Sequence, residues 1–253
     1  MNRTTPGMTL HDVSGPGAAP AIVFVHATRL TRSMWTPQVE RLSDRFRVVA
    51  LDLPGHGARA SDRFTLDGAA EALAWTIDAT AGGRAVVVGL SLGGYVAIHL
   101  AASSPDRVRG LVLAGTTAEP TGIRVAAYLA LAQAMDSFDG PRLDALNRRY
   151  FRGRYPPAIA DPIVRGRFWS SGGADALRCL AGHAFMPALA AFHGPSLLLN
   201  GSLDLPFRLG QPGFARVARD TRSVRIAGAT HLSNLDRPGA FSAAVSRFAD
   251  GLA

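Results

Sequence analysis

The segment Ala85-Val86-Val87-Val88-Gly89-Leu90-Ser91-Leu92-Gly93-Gly94 constrains the fold more than any other stretch of the chain. Its apolar run has no polar alternation, so neither face of the strand is made for water, which predicts a parallel strand covered on both sides. The run passes through Gly-x-Ser-x-Gly directly into a helical pattern, Leu92–Ser103. A serine at such a sharp strand-to-helix turn needs a strained backbone, and its neighbours two places away on either side must be small because strand and helix approach closely. The turn lifts Oγ above the sheet and aims the helix N-terminus at any negative charge that develops there. A plain tight turn between strand and helix is the bland alternative, and the strand-to-helix setting favours the elbow.

Further short apolar runs continue the rhythm: Ala21–Val25, Arg47–Leu51, Gly110–Leu113, Ser196–Asn200 and Ser223–Ile226. Helical patterns stand between or after them at Leu66–Thr80, behind Thr65, and at Gly239–Phe248. The alternation predicts an α/β fold with a doubly wound, mostly parallel sheet flanked by helices. Residues 118–190 break the rhythm. They read as helices (Val125–Ala134, Arg142–Phe151, Ala174–Ala181) interrupted by Pro156, Pro157 and Pro162. The expected organisation is a core of residues 1–117 and 191–253, with 118–190 inserted as a helical cap in the same domain.

A serine hydroxyl is a weak nucleophile near neutral pH and needs a base. Of the 7 histidines, only His231 sits just past the last strand run and before the last helix, where a loop at the carboxyl edge of the sheet would bring it over Ser91. The base needs an anion to fix its tautomer and stabilise the imidazolium. Asp204, after Ser196–Asn200, leaves the same edge. Asp236 is the rival, for which a surface or capping role is expected. The chain order Ser91, Asp204, His231 is the order expected for a nucleophile elbow of this kind. The Leu92 N–H is the first expected oxyanion donor, and the Thr28 N–H, in the loop after Ala21–Val25, the second. His99 is expected to pack away from the site and His56 to be structural. His183 and His193 could touch substrate but are expected at the surface.

These segments together resemble the α/β-hydrolase superfamily over nearly the whole chain. His26 and its following loop look like the family's oxyanion loop, Asp52–Gly57 like its D-x-P-G-H-G turn and Gly89–Gly93 like its nucleophile elbow. Gly201–Asp204 looks like the acid-bearing loop, and His231–Pro238 like the terminal histidine segment. Met34-Trp35-Thr36-Pro37-Gln38 with Leu51–Gly57 looks most like small-molecule carboxylesterases and enol-lactonases. The resemblance implies a hydrolase that cleaves an ester or lactone of a small molecule through Ser91, His231 and Asp204 and an acyl-enzyme. A serine at the elbow argues against dehalogenases and epoxide hydrolases of this fold, which use aspartate there. Ala27 stands where the family has glycine, as a non-glycine residue does in the similar hydroxynitrile lyases. A triad-bearing lyase, isomerase or cyclase is therefore one alternative, and a non-catalytic small-ligand receptor another.

The net charge of +8 raises the question of polyanionic partners, but all 27 basic residues are arginines spread along the chain with no dense block. They read as solvated surface, with a small allowance for an anionic substrate guided by Arg124, Arg148 or Arg152. No nucleic acid and no membrane partner is expected. A single cysteine, Cys179, allows no intrachain disulfide. Met1–Pro20 lacks the charged start and apolar run of a signal peptide, so a cytoplasmic location is the default. No metal-ligand spacing or dinucleotide fingerprint appears, so no cofactor is expected.

Overall fold

The computed structural model describes residues 9–252; Met1–Met8, the start of the polar N-terminal segment, and Ala253 lie outside the described residues. Seven strands form one sheet: β1 (His11–Ser14), β2 (Ala21–Val25), β3 (Arg47–Leu51), β4 (Ala85–Leu90), β5 (Val108–Ala114), β6 (Pro195–Gly201) and β7 (Asp220–Ile226). Their spatial order is β1-β3-β2-β4-β5-β6-β7, with β1 antiparallel to β3 and every other pair parallel. The Ser91 strand, β4, is central and buried along its length, as its uninterrupted apolar run predicts.

Successive residues of each inner strand serve opposite faces. Val23, Val25, Val49, Leu51, Val87 and Leu111 pack under α2 (Leu66–Thr80) and α3 (Leu92–Ser103). Phe24, Val48, Val86, Val88 and Val112 pack with Trp35 and with Phe241, Val245 and Phe248 of α11 (Pro238–Asp250). Each such side chain is worth roughly 1.5–3 kcal/mol when fully buried. Thr65 caps α2, its hydroxyl accepting the Gly68 N–H at 3.0 Å.

Between β5 and β6 lie α4 (Arg124–Ser137), α5 (Pro141–Arg154), α6 (Pro157–Gly166), α7 (Ser170–Leu180) and α8 (Met186–Ala191), with no strand among them. The last of these, α8, buries Leu189 in the same core layer as α3. The remaining helices are α1 (Thr36–Leu42), α9 (Leu205–Val217) and α10 (Ser233–Asp236). No described helix is long and apolar enough to cross a membrane.

The strand register sets the site. Val25 pairs with Gly89, Leu90 with Ala114, Ala114 with Leu199, and Gly201 with Ile226. The carboxyl ends of β2, β4, β5, β6 and β7 therefore lie along one edge, where open α/β sheets bind their ligands.

Candidate active site

Ser91 occupies the turn between β4 and α3 with φ 54° and ψ −114°, a left-handed conformation costing on the order of 1–3 kcal/mol for a residue with a side chain. The surroundings hold it there. Its N–H donates to the Ala114 carbonyl at 2.8 Å, and its own carbonyl accepts from Gly94 N–H at 2.9 Å. The glycines on either side have no room to grow: a Cβ on Gly89 would collide with the Gly93 backbone, and one on Gly93 with the Val25 carbonyl. Gly94 is constrained too, because a Cβ there would strike the Thr116 side chain.

His231 stands on the loop after β7 and Asp204 at the head of α9, after β6. The imidazole Nδ1–H donates to Asp204 Oδ2 at 2.8 Å. The carboxylate side chain is 6% exposed and the imidazole 35%, so the acid is sealed while the base faces open space. The ring stacks on Phe207 with centroids 4.6 Å apart, and its Cε1 and Nδ1 lie over Gly115 at the end of β5. Since Ser91 N–H is bonded to Ala114, the neighbour of Gly115, one strand end carries the serine turn on one side and the imidazole on the other. Among the described residues, His231 Nε2 and Ser91 Oγ have no hydrogen-bond partner.

Asp236, the rival acid, has a different task and is neither exposed nor beside the imidazole. Its side chain is only 3% exposed. It accepts from Thr230 N–H at 2.7 Å, Thr230 Oγ1 at 2.6 Å, Tyr155 OH at 2.9 Å and Arg154 at 2.8 Å. Burial alone would raise its pKa, but these bonds outweigh burial and hold the carboxyl below the usual range. Asp236 thus ties the end of α5 to the loop that carries His231.

The loop after β2 is braced by two buried histidines. His26 donates Nδ1–H to Ala27 O at 2.9 Å and accepts the Leu53 N–H at Nε2, 3.0 Å. His56 donates Nδ1–H to Pro54 O at 2.9 Å and accepts the Arg29 N–H at Nε2, 3.2 Å. Accepting at Nε2 requires the neutral ring, and burial lowers the pKa of His26 to about 4 and of His56 to about 3. Asp52 closes the adjoining turn by accepting from Arg32 N–H at 2.8 Å and Ala58 N–H at 2.9 Å. Neither the Thr28 nor the Leu92 N–H has an acceptor among the described residues. Leu92 N–H is the first of α3 and stands next to Ser91. Ala27 is buried with Phe24, Met34 and Trp35 and keeps an ordinary φ, so the backbone here does not require glycine.

Other candidates fall outside the constellation. His99 bonds Asp67 at 2.7 Å, joining α3 to α2. His183 packs its ring on Phe185 at 4.5 Å. Arg148 pairs with Asp144, Arg152 with Asp161, and Arg124 bonds the Glu119 carbonyl, so the arginines expected to attract an anion already have partners. A cleft of about 730 Å³ lies beyond the His26 loop, lined by Asp52, Arg59, Asp62, Arg165, Arg167 and Trp169 but not by Ser91. Three features had no pattern to reveal them in the sequence: Gly115 under the imidazole, Phe207 against it, and the Arg154–Tyr155–Asp236 tie. Each joins elements distant in the chain.

An alpha/beta hydrolase family model matches residues 22–244. The chain is 28% identical to 3-oxoadipate enol-lactonase 1 of Acinetobacter baylyi, covering 96% of this chain and 93% of that protein. It is 31% identical to a pimeloyl-[acyl-carrier protein] methyl ester esterase of Neisseria meningitidis serogroup C, covering 94% of this chain and 97% of that one. A solved thermophilic esterase from Thermogutta terrifontis superposes with a TM-score of 0.79 at 25% identity, over 96% of this chain and 93% of the other.

Proposed function

From the premise that the chain belongs to the α/β hydrolase family and is an ester hydrolase of that fold, we propose that it cleaves an ester or lactone bond of a small molecule through Ser91, His231 and Asp204. The observation that carries the reading is the strained Ser91 turn sharing the end of β5 with the Asp204-bound imidazole.

In this mechanism Ser91 Oγ attacks the carbonyl carbon while His231 Nε2 takes its proton. Asp204, already bonded to Nδ1–H, keeps Nε2 unprotonated beforehand and stabilises the imidazolium afterwards. The carbonyl oxygen gains negative charge and is held by the N–H groups of Leu92 and Thr28, each worth roughly 10²–10³ in rate. Collapse expels the leaving alkoxide, which takes the proton from His231, and leaves an acyl ester on Ser91. Water, deprotonated by His231, attacks that ester; a second collapse releases the carboxylic acid and restores the serine. In this reading the insertion 118–190 is the cap over the site and sets substrate choice.

The test is intact mass after treatment with a small fluorophosphonate. The wild type is expected to gain one adduct and Ser91→Ala none. A folded wild type without an adduct, or an adduct that persists in Ser91→Ala, refutes the reading.

A further inference from the structure

We propose that Arg29 is an anion anchor that selects substrates carrying a carboxylate in addition to the scissile ester or lactone. This rests on the reading of Ser91 as nucleophile and of Thr28 as an oxyanion donor, and it names the substrate class of that same site.

The placement is deliberate in its backbone. Arg29 directly follows Thr28 and has φ 63°, a left-handed conformation that arginine seldom adopts. It is held from both sides: its N–H donates to His56 Nε2 at 3.2 Å, and its carbonyl accepts the Trp169 N–H at 2.9 Å. The side chain runs towards α7 and α4. A Cβ on Gly173 of α7 would come within 2.6 Å of Arg29 Cγ and 3.3 Å of Met135 Sδ, so the glycine makes room for the arginine under the helices.

At the end of that path the guanidinium has nothing to bind. Nε and Nη2 are buried without a hydrogen-bond partner, while Nη1 has no partner but is not sealed. Among the described residues Arg29 forms no ion pair, whereas Arg32, Arg107, Arg148, Arg154 and Arg178 all do. Asp139 is the acid that acts on it, but it lies outside bonding distance, and burial lowers the arginine's pKa. A half-buried guanidinium with two sealed, unpaired nitrogens is unfavourable, and an anion beside it offsets that cost. Its open Nη1 can give a carboxylate a charge-assisted hydrogen bond. An anion would reach the guanidinium at Nη1, the nitrogen that is not sealed, beside the loop that carries Thr28.

The test compares mono-p-nitrophenyl glutarate with p-nitrophenyl pentanoate in wild type, Arg29→Met and Arg29→Lys. The ratio of kcat/KM, glutarate over pentanoate, is expected to fall roughly 10- to 100-fold in Arg29→Met, mainly through KM, and less in Arg29→Lys. An unchanged ratio, with Ser91 still labelled by the fluorophosphonate, overturns the anchor and leaves the hydrolase reading standing. If the wild type is neither labelled nor active, the hydrolase reading fails, and free glutarate then decides: a Tm rise in wild type absent from Arg29→Met supports the anchor, and equal behaviour overturns it. Arg29→Met should be no less stable than wild type. A lowered Tm matched by Asp139→Asn would make Arg29 a tie to Asp139 and overturn the proposal.

Discussion

Gly115 lies so close to His231 that a Cβ on it would come within 2.9 Å of the imidazole Cε1 and 3.0 Å of Nδ1. It also has φ 53°, which a side chain disfavours. Gly115→Ala should therefore push the imidazole away from its bonded position on Asp204. We expect kcat/KM to fall about 10²-fold, as small misplacements of catalytic groups do, with a stability loss of about 1–2 kcal/mol. Steady-state kinetics with a chromogenic ester and urea denaturation measure both; wild-type kinetics in Gly115→Ala would contradict this packing.

The two aspartates near His231 should separate cleanly. Asp204→Asn keeps the shape but presents the wrong partner to Nδ1, and kcat should fall roughly 10³–10⁴-fold with little change in Tm. Asp236→Ala removes the acceptor of four bonds and should cost on the order of 2–4 kcal/mol in stability, with the smaller loss of kcat. Reversed rankings would exchange their roles.

Acid should weaken the fold through His26 and His56. Both have folded pKa values, about 4 and about 3, below the ordinary 6.5. Below pH 6.5 the unfolded chain binds protons that the folded chain refuses, so their contribution is complete above that pH and is lost as pH falls towards the folded values. By pH 5 the loss is about 2 kcal/mol per histidine. Urea midpoints at pH 7.5 and 5 read it directly; a flat profile would mean that the rings accept protons without cost.

The strain at Ser91 should be measurable as stability. Glycine tolerates φ 54° where alanine does not. Ser91→Gly is expected to exceed Ser91→Ala by about 1 kcal/mol in unfolding free energy, with both variants inactive. Equal stabilities would mean that the turn is relaxed.

The central strands and the helices at Leu66–Thr80 and Leu92–Ser103 were legible because burial on both faces writes a continuous apolar run and capping writes a threonine at the boundary. The elbow was legible in part for the same local reason, since Gly89 answers to the approach of Gly93 four residues on, whereas Gly93 answers to the distant Val25 carbonyl. Strand β1 was not: four half-exposed residues become a strand only by pairing with β3. Helix α6 holds Pro157 at its start and Pro162 within, residues that read as breaks. Helix α9 likewise tolerates Pro212 and buries only Phe214, so it shows little apolar stripe. In the site, chain order suggested Ser91, Asp204 and His231, whereas the tie at Asp236 and the isolation of Arg29 depend on which groups are absent or present across the fold. Arg124, Arg148 and Arg152 looked equally available in the sequence, and only the folded chain shows their partners.

The bonds from Arg154 and Tyr155 to Asp236 couple two segments far apart in the chain. The same carboxylate grips Thr230, the residue before His231. Lifting the end of α5 must either release that carboxylate or drag the 230–236 loop along with it. The end of α5 is thereby geared to the loop that carries His231, the proposed base, so that a displacement of one is transmitted to the other.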